Sequence, residues 1–147
     1  MTMDIFTPEK RSQIMSCIRG RATKPELRLY EIARTVLGPR RCVFRNYKGL
    51  LGTPDLYVPA FSLAVFLDGC FFHGCPIHGH IPFSNSEFWE RKIFRNVRRD
   101  RRYERKLRRD GIAVWRFWEH DMRASALEAS LQRFEMAVTR QKIRTNL

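Results

Sequence analysis

The stretch Cys70-Phe71-Phe72-His73-Gly74-Cys75-Pro76-Ile77-His78-Gly79-His80 constrains this chain more than any other. It shows neither strand nor helix periodicity, so it belongs to a loop running over residues 69–86. Yet Cys70, Cys75, His78 and His80 fall within eleven residues. A loop of that length in a chain of 147 residues needs a staple beyond a modest apolar core. Disulfides are one candidate, because Cys17, Cys42, Cys70 and Cys75 make an even set. The opening MTMDIFTPEKR has no apolar h-region, however, which points to the reducing cytoplasm. In that compartment, clustered Cys and His serve metal. Zinc takes four thiolate or imidazole ligands. Cys70, Cys75 and His78 supply three, and His120, just after Trp118-Glu119, supplies the fourth. His78 is preferred to His80, which lies beyond a flexible glycine step. Free buried thiols with surface histidines are the plainer reading, and the density of ligands argues against it. His73, between the cysteines, has three readings: zinc ligand, surface residue, or general base poised near neutral pH.

The segments around this loop alternate between helix and strand patterns. Thr7-Pro8-Glu9 opens a short, loosely docked helix that ends by Gly20. Thr23-Lys24-Pro25-Glu26 is a capping box leading into Leu29, Ile32, Ala33 and Val36 at helical spacing, stopped by Gly38-Pro39. Strands are expected over Cys42 to Arg45, Pro54 to Val58 and Ser62 to Leu67, the last apolar enough to be buried on both faces. Ser84-x-x-Glu87 offers a second capping box for a long helix closed by Gly111. A strand over Ile112 to Trp118 follows, then an amphipathic helix with Leu127, Leu131, Phe134 and Val138 on one face. The order α–β–β–β–α–β–α, preceded by the N-terminal helix, predicts one α/β domain over 1–147. No apolar run approaches a membrane span, so no membrane partner is expected.

Charge narrows the partner. Lys and Arg number 28 against 15 Asp and Glu, a formal charge of +13 with a pI near 10.5, which favours a polyanion such as nucleic acid. The arrangement is sharper than the total. Residues 91–109 hold eleven Lys/Arg and only two acids, Asp100 and Glu104. Arg91, Arg95, Arg98, Arg102, Arg105 and Arg109 recur on one helical face, where phosphates would relieve their mutual repulsion. The opposite stripe reads Trp89, Ile93, Val97 and Asp100. An acid on the face that otherwise buries apolar groups needs a partner or a purpose.

Two further acids mark strand ends: Asp55 in Gly52-Thr53-Pro54-Asp55, and Asp68 before Gly69. If their strands pair as a hairpin, both carboxylates reach one open edge. Paired acids there suit Mg²⁺, which can polarise a phosphate and activate water. Either aspartate alone reads more simply as a turn-favouring residue.

Taken in order, these blocks resemble the very short patch repair endonucleases, which nick DNA at T:G mismatches. The matching blocks are Thr7-Pro8 with Arg11-Ser12 and Met15; Thr23-Lys24-Pro25-Glu26; Gly52-Thr53-Pro54-Asp55; Phe66 through Cys75; Phe88-Trp89; Asn96 with Arg99-Asp100; and Trp118-Glu119. The resemblance covers about Thr7 to His120. It implies a restriction-endonuclease-like fold: a mixed central sheet flanked by helices, with a zinc-stapled loop. It implies residues 1–20 as a DNA-contacting helix and 21–147 as the catalytic core. Cys70 stands where the wider superfamily carries lysine, so His73 becomes the implied base and Asp100 its orienting acid. Asp55 would bind Mg²⁺ with the Leu67 backbone carbonyl, Glu26 would hold metal-bound water or orient the site, and Asp68 is a doubtful ligand. Cys70, Cys75 and His120 match structural zinc positions. Phe71, Phe72 and Trp89 match aromatics wedged into the duplex, and the basic helix gives phosphate contacts at Arg91, Arg95, Arg98 and Arg102. The expectation is a bacterial, cytoplasmic monomer acting on T:G-mismatched duplex, with other mismatch-repair proteins as further partners. The rival readings are a non-catalytic zinc-stapled DNA-binding module and a restriction-like nuclease of the same fold with another specificity.

Overall fold

The computed structural model describes residues 22–145. The expected N-terminal helix and Cys17 lie outside them. The first described helix, α1 (Lys24–Leu37), begins where the sequence places it. The Thr23 hydroxyl accepts from the Glu26 N–H at 3.5 Å and Pro25 sits in the first turn. Gly38, at φ +74°, ends it by taking a backbone conformation that side-chain-bearing residues rarely adopt.

Four strands follow: β1 (Phe44–Arg45), β2 (Leu56–Val58), β3 (Leu63–Asp68) and β4 (Ala113–Trp118). Their order in the sheet is β1-β2-β3-β4. The first three run antiparallel and β4 lies parallel to β3, so the sheet is mixed. The strands at Cys42 and Pro54 are shorter than expected at their starts. Pro54 has no N–H for a ladder, and its carbonyl instead accepts from the Tyr47 N–H at 3.0 Å. The β3-to-β4 crossover contains the Cys/His loop and α2 (Ser86–Arg109). That helix begins at Ser86, just inside the expected Ser84-x-x-Glu87 box. Asn85, in left-handed backbone, occupies the N-cap position with no cap from its own side chain, and Glu87 pairs forward with Arg91 at 3.1 Å. Gly111 closes the helix at φ +83°. The last helix is α3 (Leu127–Thr145).

β3 is covered on both faces, as its apolar run requires. Leu63 and Val65 pack with Leu29, Ile32 and Ala33 of α1, Phe134, Ala137 and Val138 of α3, and Phe117 of β4. Ala64 and Phe66 face the other way, onto Leu107 of α2 and Val114. Phe117 and Phe134 are fully buried with ring centroids 6.3 Å apart. Truncating either to alanine would cost about 3–5 kcal/mol. The chain is therefore α/β, with α1 and α3 on one face of the sheet and α2 on the other. Residues near the end of β3 meet the inner face of α2. Among the described residues, no helix is long and apolar enough to cross a membrane.

Candidate functional site

Asp55 directly precedes β2. The hairpin brings its side chain to the end of β3, where Asp55 Oδ2 accepts from the Leu67 N–H at 2.7 Å. Burial pushes the Asp55 carboxyl up to about 6, against the pull of the Leu67 N–H, with Glu26 and Asp68 adding negative potential. Among the described residues no cationic side chain pairs with Asp55. The structure thus gathers Glu26, Asp55 and Asp68 around one sheet edge.

Asp68 is not an open carboxylate. Arg116, on the neighbouring strand β4, reaches both of its oxygens through Nη1, at 2.6 and 2.7 Å. Burial works against the Arg116 charge, but Asp68 above all, then Asp100 and Glu104, outweigh it and hold the guanidinium protonated. Arg116 Nε also reaches Glu104 Oε2 at 3.3 Å, and its guanidinium lies 4.7 Å from the Phe66 ring centroid.

His73 sits in the turn after β3, anchored by its own N–H to the Gly69 carbonyl at 3.2 Å. Its Nδ1 lies 2.6 Å from Asp100 Oδ2 and 3.6 Å from Asp68 Oδ1. Asp100 is the acid on the inward stripe of α2, and this is its partner. Its second oxygen takes Arg99, at 3.0 and 3.2 Å. The Asn96 amide donates to the Phe72 carbonyl at 3.1 Å, tying the loop to the helix.

The soft donors gather beside this site. Cys70 Sγ lies 3.2 Å from His120 Nδ1, Cys75 Sγ lies 3.6 Å from the same nitrogen and 3.9 Å from His78 Nδ1, and the two Nδ1 atoms are 3.2 Å apart. Tetrahedral zinc with bonds of about 2.0–2.3 Å would set its donors about 3.3–3.8 Å apart, so the four fit one such ion. Burial raises the Cys70 thiol; at Cys75 burial acts likewise, but backbone N–H groups of His78, Ile77 and Gly79 outweigh it and favour the thiolate. His80 stays outside, with Nδ1 3.5 Å from the His78 carbonyl and its ring 5.5 Å from that of Phe71. Gly79 is a tight turn rather than a flexible step: its N–H bonds the Cys75 carbonyl at 2.7 Å, and any side chain there would strike that carbonyl.

Phe71, Phe72 and Trp89 converge, with ring centroids at 5.0, 5.1 and 6.3 Å, and Phe88 meets Trp89 at 5.3 Å. Lys92 Nζ lies over Phe72, Phe88 and Trp89 at 6.0, 5.6 and 5.2 Å. The three expected wedge residues are half-buried, so they are neither sealed core nor free surface. Arg91, Arg95, Arg98 and Arg102 are all exposed on α2. A surface groove lined by Phe88, Phe94, Arg95, Arg98, Arg102 and Arg105, among others, runs along that face.

Comparison with known proteins decides what such an arrangement belongs to. A family profile described as DNA mismatch endonuclease Vsr matches residues 3–78, just over half of the chain. The chain belongs to that family. It is similar to a type II nicking enzyme of Neisseria meningitidis, 37% identical over 84% of this chain and 87% of that protein. It is 40% identical to a type II nicking enzyme of Lentzea aerocolonigenes, over 81% of this chain and 73% of the relative. The DNA mismatch endonuclease Vsr of Escherichia coli is 34% identical, over 82% and 76%. The protein is therefore a DNA endonuclease, a phosphodiester hydrolase of the Vsr family, with that family's restriction-endonuclease-like α/β fold.

Within this endonuclease, sequence reading passed over Arg116, and it gave Glu104 and Asn96 no role. Arg116 did carry a signal: a charge inside the apolar strand Val114-Trp115-Arg116-Phe117 needs a partner for the same reason as Asp100. Only the β3–β4 register, pairing Phe66 with Arg116, shows that the partner is Asp68.

Proposed function

We propose that this Vsr-family endonuclease nicks one strand of duplex DNA at T:G mismatches in the bacterial cytoplasm, opening very short patch mismatch repair. The observation that carries the reading is the 2.6 Å contact between His73 Nδ1 and Asp100 Oδ2, beside a desolvated Asp55. Nδ1–H donates its hydrogen bond to Asp100 Oδ2, leaving Nε2 as the nitrogen free to take a proton from water. As it does so, the water oxygen bonds to phosphorus, the phosphorus–oxygen bond to the departing strand breaks, and that oxygen is protonated by solvent.

The donors at Asp55 fit a hard divalent cation, because a buried acid with anionic neighbours and, among the described residues, no cationic partner calls for one. Asp55 and the Leu67 carbonyl, with Glu26 acting through water, would hold Mg²⁺; when bound it neutralises phosphate charge. Cys70, Cys75, His78 and His120 would hold structural Zn²⁺. Phe71, Phe72 and Trp89 would select the mismatch, since a poorly stacked wobble pair is cheaper to pry open.

A second reading rests on the relatives named type II nicking enzymes: the same chemistry with a stricter demand on flanking sequence. The test is Mg²⁺-dependent nicking of duplexes carrying T:G or T:A in varied flanks. Preference for T:G in any flank supports mismatch repair. Equal nicking of T:A in one flank supports the second reading, and no nicking of any duplex overturns both.

A further inference from the structure

A chain of charges joins the site to the outer end of α2. Arg108 Nη2 meets Glu104 at 2.9 Å, Glu104 meets Arg116 Nε at 3.3 Å, Arg116 Nη1 meets Asp68 at 2.6 Å, Asp68 approaches His73 Nδ1 to 3.6 Å, and His73 meets Asp100 at 2.6 Å. The Asp68 side chain is only 8% exposed. His73 Nδ1 therefore has two carboxylates within reach and one proton to offer. Asp100 holds it at hydrogen-bond length, whereas Asp68 stands just beyond.

We infer that Arg116 is a positioning residue for the nicking reaction: by holding both oxygens of Asp68, it keeps that carboxylate off His73 and leaves Asp100 as the single acid that orients the ring. This rests on the assignment of His73 as base. Glu104 fixes the guanidinium from the side and the Phe66 ring supports its face, so Arg116 has little freedom to leave. Without Arg116, Asp68 is a buried anion with His73 Nδ1 only 3.6 Å away. Satisfying Asp68 would draw the ring toward β3 and move Nε2 away from the phosphate. A base displaced by about 1 Å loses much of its effect.

The experiment measures single-turnover nicking of a T:G duplex, well below the melting temperature, by zinc-loaded protein with saturating Mg²⁺. Arg116→Met should lower the rate constant about 10–100-fold, as loss of a group supporting a reacting residue does, with duplex affinity nearly unchanged. Adding Asp68→Asn to Arg116→Met should restore about half or more of that loss on a logarithmic scale, because the freed carboxylate causes it. Arg116→Lys should fall between wild type and Arg116→Met. A merely structural ion pair would change melting in both variants without changing the rate per folded molecule. A wild-type rate for Arg116→Met, or a double variant as slow as the single one, overturns the inference. If Arg116→Met does not fold, Arg116→Gln carries the same comparison. His73→Ala is run in parallel. Retained nicking in that variant sinks the base assignment itself. Loss of nicking there, without recovery in the double variant, sinks only the role of Arg116.

Discussion

The donors around Cys70 and those around Asp55 are built differently, although one strand end serves both. The soft donors are complete: two thiols and two imidazoles converge within tetrahedral spacing, drawn from the loop and from the turn after β4. The hard donors are incomplete. Asp55 is desolvated with no cationic partner among the described residues, and its neighbour Asp68 is taken by Arg116. A closed set of ligands suits a metal that holds structure, whereas an open one suits a metal that shares its coordination with substrate. The segment from Cys70 to His73 links the two, so a metal held by the soft donors would fix His73 and the aromatics beside Asp55.

The sharpest test of this contrast removes the hard donor. Asp55→Ala should cut nicking by at least about 10³-fold while zinc content and fold persist. Retained activity would mean the open site is not the reactive one. Asp55→Asn adds a pH signature in the Mg²⁺-free protein. Because the folded pKa is raised, the stability contributed by protonated Asp55 is full below the ordinary value of 3.8 and lost as pH rises through about 6. The variant should therefore be more stable than wild type above that range, by roughly 1–3 kcal/mol at pH 8, and indistinguishable below 3.8. Equal stability at both pH values would show that Asp55 is well solvated.

Removing the soft site should act on the fold instead. Removal of the soft-site metal by a zinc-selective chelator with Mg²⁺ kept saturating, or Cys75→Ser, should release about one metal ion per chain and lower thermal stability by several kcal/mol, with nicking lost only as the protein unfolds. An unchanged melting temperature in metal-free protein would erase the contrast. The aromatics between the sites give a smaller effect. Phe71→Ala and Trp89→Ala should each reduce discrimination between T:G and T:A duplexes about tenfold, at normal zinc content. Full discrimination in both would make these rings bystanders. The smallest change is expected on α2: Arg98→Ala or Arg102→Ala should weaken binding a few-fold and reduce the slope of log affinity against log salt by about 0.9. A slope that does not move would take that residue off the phosphate backbone.

Much of this was legible beforehand because local chemistry dictated it. The caps at Thr23 and Gly111, the two-faced apolar run of β3 and the acid inside an apolar stripe each state a demand that only certain structures meet. Asp100 shows the limit: its position required a partner, and only the family resemblance, not anything within its helix, pointed to His73, twenty-seven residues away along the chain. The Ser84-x-x-Glu87 pattern located the helix entry to within a residue, and the cap position itself, Asn85, depends on how the preceding loop arrives.

By itself, the sequence determined the succession of helices and strands, the buried charges that had to be neutralised and the supply of metal-binding side chains. Those follow from periodicity, burial and ligand chemistry, which act over a few residues. The tertiary structure decided which groups meet. It placed His78 rather than His80 against His120, gave Asp68 to Arg116 across parallel strands, and gave His73 to Asp100 across the gap between loop and helix. Such pairings depend on strand register and on how α2 packs against the sheet, and a spacing of residues along a chain does not contain that information.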